Sequence, residues 1–186
     1  LTLASSHPED EQVLIPMIKK LRDKYSFIIV PRHLKRTEEI GRVLADQGLR
    51  FARWSDAESI DIDKEVLLFD KMGYLFHVLK ISDIVFMGGT CSRKTGGHNL
   101  YEPAVLGKLI VGGPYYNNFP DIGRELAEKG VYRIVSDPDS TAAFLLDVEN
   151  IDFENIKARA IETAAGRRGS VACILKEIHA IYTTHG

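Results

Sequence analysis

Cysteine, tryptophan, net charge and long apolar runs are all scarce in this chain of 186 residues. Its 2 cysteines, Cys91 and Cys173, lie far apart and make no CxxC or zinc spacing, which fits a reduced, cytosolic protein; a bridge between them stays open. No apolar stretch approaches the roughly 18 residues needed to span a bilayer, and no signal peptide is present, so the chain reads as soluble. A formal net charge of -2 weighs against DNA or RNA as a partner, because a bulk polyanion calls for a basic surplus. Any bound anion is then small and locally held. The 6 histidines form no HExxH or paired-ligand spacing, so no metal is expected. No GxGxxG follows the first strand, against a dinucleotide oxidoreductase, and no GxxxxGK[ST] loop occurs, against a nucleotide triphosphatase. Cys91 lacks any Cys/His nucleophile pattern and reads as an incidental loop thiol.

What is present is ordinary globular composition, 45% hydrophobic and 27% charged, enough for one sizeable core and one domain over 1–186. Short apolar runs alternate with helix-period segments. LTLA at the start precedes a helix over Glu9–Leu21, then FIIV (27–30), a helix over Lys35–Gln47, LRFAR (49–53) and VLLF (66–69). A helix over Met72–Leu79, DIVFM (83–87), a helix from Pro103, LIVG (109–112), a helix over Phe119–Lys129 and YRIV (132–135) follow. Fully apolar strands separated by amphipathic helices indicate a parallel sheet covered on both faces, the doubly wound, Rossmann-like α/β class. Beyond Val135 only helices are expected: Ser140–Leu146, Phe153–Ala164 and Ser170–Tyr182, the last with a continuous apolar stripe. The chain opens at Leu1 directly inside a strand-like run, which sets the expectation that it is part of a longer protein.

In open parallel sheets ligands bind beyond the carboxyl ends of the strands. The loops there carry Ser6 and His7 after LTLA, Arg32 after FIIV, and Met72 and Gly73 in DKMGYL. Ser6, Glu9 and Asp10 equally suit a helix cap with dipole-matched carboxylates, and both readings stand. Arg32 offers a planar fork for phosphate or carboxylate, or an exposed pair with an acidic neighbour.

The least ordinary stretch is GGTCSRKTGGHNLYEP, residues 88–103. Gly88 and Gly89 end a strand where a side chain would obstruct something close to the backbone, and Thr90 follows. Arg93, Lys94 and His98 concentrate positive charge, and Gly96, Gly97, His98 and Asn99 are expected to expose backbone donors to an anion. Asn99 and Glu102 also fit a capping box, but Pro103 is favoured at a first helical position. A helix starting at Pro103 leaves the Glu102 carboxylate for a ligand, such as a ribose diol.

Jointly, ASSHPEDE (4–11), VPRHLKR (30–36), DKMGYL (70–75), GGTCSRKTGGHNLYEPAVLGK (88–108) and GPYYNNF (113–119) resemble, in order, the C-terminal half of the bacterial 3-deoxy-D-manno-octulosonic acid (Kdo) transferases. The resemblance covers essentially the whole chain. It implies the donor half of a two-domain GT-B glycosyltransferase of lipopolysaccharide synthesis, inverting, with CMP-Kdo as substrate and no cofactor. It also implies that an absent N-terminal domain binds the lipid A precursor and carries the catalytic carboxylate, leaving this piece inactive alone. The full-length protein would work at the cytoplasmic face of the inner membrane. By motif position, Ser6 and His7 would line the donor cleft, Arg32 would meet phosphate or carboxylate, and Met72 and Gly73 would lie along the nucleotide. Gly88, Gly89 and Thr90 would form the strand-end turn, with Gly97, His98, Asn99 and Glu102 as the main donor-binding turn and Lys94 adding charge. Lys71 and Tyr74 depart from the family's DTMGEL, and Leu100 and Tyr101 from its GGHNPLEP. The alternatives are another GT-B enzyme, a UDP-sugar transferase or 2-epimerase, and a non-catalytic nucleotide-binding module.

Overall fold

The computed structural model describes residues 1–56 and 65–166, in which seven strands form one sheet. The final helix expected over Ser170–Tyr182, and Cys173 with it, lies outside the described residues. Strand β1 (Thr2–Ser6) leads into helix α1 (Pro8–Leu14), a 3-10 turn (Ile15–Met17) and α2 (Ile18–Leu21). The single helix expected over Glu9–Leu21 is therefore interrupted at Pro16, whose missing N–H and bulky ring do not continue an α-helical ladder.

Next come β2 (Phe27–Pro31), α3 (Thr37–Asp46), β3 (Phe51–Arg53), β4 (Val66–Leu68) and α4 (Leu75–Lys80). Helix α4 starts at Leu75 rather than Met72 because Gly73 sits at φ +84, outside the helical region. Then follow β5 (Ile84–Met87), α5 (Tyr101–Val105), β6 (Leu109–Gly112), α6 (Pro120–Glu128) and β7 (Tyr132–Ile134), closed by α7 (Pro138–Leu146) and α8 (Phe153–Ala165).

The order across the sheet is β3-β4-β2-β1-β5-β6-β7, and every pairing is parallel. From β1 the chain winds toward β3; from β4 it crosses over and winds toward β7. Right-handed crossovers in opposite directions place their helices on opposite faces. Accordingly α7 packs with α1 and α2, whereas α8 packs with α5 and α6. Residues Ile84–Met87 of β5 and Leu109–Gly112 of β6 are all buried, the pattern of strands covered on both sides. This is the doubly wound α/β architecture, with its winding reversal between β1 and β5.

Candidate functional site

In doubly wound sheets the ligand crevice lies beyond the carboxyl ends of the strands at the winding reversal, here β1 and β5. The two strand ends are nearly in backbone contact. Gly88 N–H donates 2.8 Å to Ala4 O, and a Cβ on Gly88 would stand 2.2 Å from Ser5 O. Ser5 itself lies at φ +54, and the β1–β2 register shifts between Ala4 and Ser6. Glycine at 88 is thus required by packing between strands, before any ligand is considered.

A clasp centred on Asp10 holds the glycine loop. This fully buried carboxylate accepts from Gly89 N at 2.7 Å, Cys91 N at 3.1 Å and His7 N at 2.9 Å. Gly97 N and His98 N donate back to Gly89 O and Gly88 O at 2.8 and 3.2 Å, and Gly96 N donates to Ser92 O at 3.0 Å. The expectation that Gly96, Gly97 and His98 expose backbone donors is therefore corrected: those N–H groups close the loop on itself. From the β6–α6 connection, Asn118 Nδ2 donates to Thr95 O and Gly97 O. Gly97, at φ +81, would place a Cβ 2.8 Å from Tyr115 O. Thr90 is buried too, donating to Met87 O at 2.6 Å and accepting from Gly113 N at 2.8 Å. Ser6 is likewise removed from the crevice surface, since its buried hydroxyl donates to Glu11 Oε1, and Glu11 pairs with Arg36 at 2.6 Å.

What this scaffold presents to solvent is a cluster of imidazoles. His7 Nε2 and His98 Nε2 are 2.8 Å apart, with ring planes 17° apart, and His33 meets His7 edge-on at 5.9 Å. Burial, reinforced by the neighbouring His7, Arg32 and His33, pushes the His98 imidazole down to about 4. Arg32 is exposed, and its guanidinium has no ion pair among the described residues. It lines a small cleft of ≈ 90 Å³ with Ser5, Pro31, Lys71, Met72 and Gly73. Met72 is 62% exposed there. Cys91 is not a competing nucleophile, because burial and nearby Asp10 raise its thiol to about 12.

At the far end of the loop, α5 begins at Tyr101, not Pro103. Asn99 Oδ1 accepts from Tyr101 N, and Asn99 Nδ2 donates to Glu102 Oε1, both at 3.0 Å. The first helical bond, Ala104 N to Leu100 O, comes one residue after Pro103. The proline therefore occupies a position whose N–H would have been unpaired anyway. Glu102 is half-buried and anchored through one oxygen rather than wholly free. Lys94 is exposed on the intervening turn. Among the described residues, no group of three His, Cys, Asp or Glu is arranged to hold a metal ion.

No family model matches the chain. It is 32% identical over 130 residues to the 3-deoxy-D-manno-octulosonic acid transferase of Chlamydophila psittaci, covering 70% of this chain and 30% of that protein. To the transferase of the same description from Haemophilus influenzae it is 34% identical over 141 residues, covering 74% and 33%. Among solved structures, the C-terminal CMP-Kdo binding domain of WaaA from Acinetobacter baumannii superposes with a TM-score of 0.79 at 32% identity, covering 87% of this chain and 86% of that one. The chain belongs to the Kdo transferase family. It corresponds to the C-terminal domain of that family and spans about a third of the length of these two curated transferases. A glycosyltransferase from Rickettsia africae, TM-score 0.65 at 15% identity, shares the fold over 98% of this chain and 46% of its own. Three site features escaped the sequence reading: the Asp10 clasp, the Asn118 brace and the partnership of His33 with His7.

Proposed function

We propose that this chain is the donor-binding domain of a glycosyltransferase that moves Kdo from CMP-Kdo to a lipid A precursor, with the crevice between β1 and β5 as the donor site. One observation carries the reading: His7, His33, His98 and Arg32 converge at the winding reversal, and the charged groups acting on His98 are all cationic or imidazole. CMP-Kdo brings one phosphate and one carboxylate, and charge-assisted hydrogen bonds from a guanidinium and imidazoles suit both. Arg32 and Lys94 would meet the anionic groups, Met72 and Gly73 would lie along the nucleotide, and Glu102 would bond the ribose through its remaining oxygen. Gly88, Gly89, Thr90, Gly97 and Asn99 would shape the turn, and Ser6 would support it from behind.

The transfer would be inverting: the acceptor hydroxyl forms a bond to the anomeric carbon as the bond to the CMP phosphate oxygen breaks, and CMP leaves. The base that takes the hydroxyl proton, and the acceptor site, would belong to an N-terminal half, so the chain alone would bind donor without transferring sugar. No metal or cofactor beyond the donor is invoked. Among the described residues no helix is long and apolar enough to cross a membrane. The full-length enzyme would work at the cytoplasmic face of the inner membrane. Calorimetry with CMP, UDP and cytidine tests the donor assignment. CMP should bind and, by hydrogen–deuterium exchange, slow exchange of the Gly73 amide; binding of UDP but not CMP would sink it.

A further inference from the structure

The His7–His98 contact poses a proton-counting problem that the donor reading leaves unsolved. At 2.8 Å between two Nε2 atoms, one nitrogen donates and the other accepts. Two N–H groups cannot point at each other, so the pair in this geometry carries at most one of the two possible extra protons. The groups around it deepen that preference. From the end of β2, Arg32 and His33 face the pair with positive or neutral nitrogen. Lys94 lies exposed on the turn before His98. From α1, the buried Asp10 carboxylate already accepts three backbone N–H bonds, and Glu11 bonds Ser6 and Arg36. Glu102 bonds Asn99. No carboxylate among the described residues is hydrogen-bonded to either ring. An approaching phosphate or carboxylate reverses this balance, supplying both an acceptor and the missing negative charge.

We propose that His98 is an anion-induced cation: neutral while its ring is paired with His7 Nε2, and protonated when a phosphate or carboxylate of the ligand is bound. The inference rests on the donor-site reading above and concerns how that site charges itself. On ligand arrival the ring of His98 leaves its contact with His7 Nε2, takes one proton from solvent and donates that N–H to the anion. Binding is thereby linked to proton uptake, so affinity rises as pH falls toward the free value of His98. A neutral nucleoside gains nothing from the proton and binds without it, which makes the pair a discriminator of anionic ligands.

The test is calorimetry of cytidine 5′-methylphosphate, a diester chosen because its single phosphate charge does not titrate between about pH 5 and 8, where histidine does. Titrations run in buffers of different ionisation enthalpy, with cytidine as the neutral comparison. Expected are a net uptake of a large fraction of one proton per diester at pH 6.5–7, affinity several-fold higher at pH 6 than at pH 8, and neither effect with cytidine. In the unmodified chain, the Cε1–H resonance of His98 should move to its protonated position on saturation at pH 7, a readout that needs no variant. His98→Gln should bind the diester more weakly, with no proton uptake. Diester binding with zero uptake and a static His98 resonance overturns this inference alone. Uptake that survives intact in His98→Gln assigns the proton elsewhere and overturns it as well. Failure of diester, CMP and cytidine to bind at any pH overturns the donor-site reading itself, and this inference with it.

Discussion

The buried carboxylate of Asp10 accepts a 2.7 Å hydrogen bond from the backbone N–H of Gly89, joining residues 79 positions apart in the chain. With its bonds from His7 N–H and Cys91 N–H, it ties the start of α1 to the loop after β5 and so holds His7 beside His98. Asp10 acts through these groups, and it is a positioning residue.

Asp10→Asn keeps the shape but turns an amide NH2 toward backbone donors. It should lower stability by about 2–3 kcal/mol, the scale of buried hydrogen bonds to a charged group. Urea denaturation monitored by far-UV dichroism checks this; a midpoint unchanged from the parent would contradict the clasp.

Two glycines should respond in opposite degree. Gly88→Ala drives a Cβ to 2.2 Å from Ser5 O, between two buried strands, and should destabilise by more than about 4 kcal/mol. Gly73→Ala has φ +84 but no atom within 4 Å of the new Cβ, so only the left-handed backbone penalises it, by about 1–2 kcal/mol. Comparable unfolding midpoints for the two variants would argue against backbone crowding at Gly88.

Arg32→Ala removes an exposed guanidinium without an ion pair among the described residues, so folding stability should change by less than about 0.5 kcal/mol. CMP affinity should fall about tenfold or more, the usual loss for a charged hydrogen bond, while cytidine affinity holds. Equal losses for both ligands would remove Arg32 from the anion.

Glu102→Ala should weaken CMP and cytidine alike, by about 1.5–3 kcal/mol, because the proposed target is the ribose that both share. Its bond to Asn99 also supports the start of α5, so melting temperature should drop slightly. A lower melting temperature with unchanged affinity for both ligands would assign Glu102 to capping alone.

The ligand-free chain should lose stability in mild acid. His98 binds its proton near pH 4 when folded and near the ordinary histidine value of about 6.5 when unfolded, so the unfolded state holds more protons between those values. Stability is full above about 6.5 and falls as pH drops toward 4, by roughly 1–2 kcal/mol for a half-buried ring partly screened by solvent. His98→Gln should flatten that part of the stability–pH curve, as measured by urea titrations at several pH values.

Much of the fold was legible residue by residue. FIIV, DIVFM and LIVG are short, apolar and bounded by turn residues, and each became a strand because both faces of this sheet are covered. Boundaries failed where one residue overrode a period: Pro16 broke the first helix, Gly73 delayed α4, and Asn99 let α5 begin ahead of Pro103.

The site divides along the same line. Residue type and spacing by themselves determined that glycines, an arginine and histidines gather at strand ends, since local chemistry and strand order along the chain suffice for that. Only tertiary structure decided which of them face the crevice. Ser6 and Thr90 turned inward because buried hydroxyls need partners, and the loop's N–H groups closed on Gly88, Gly89 and Ser92 for the same reason. Asp10 does cap the start of α1 through His7 N–H, as its place in the first turn suggested, but its other partners, Gly89 and Cys91, are neighbours only through β1–β5 pairing. His7, His33 and His98 come from three separate loops, and no linear spacing encodes their meeting at the winding reversal.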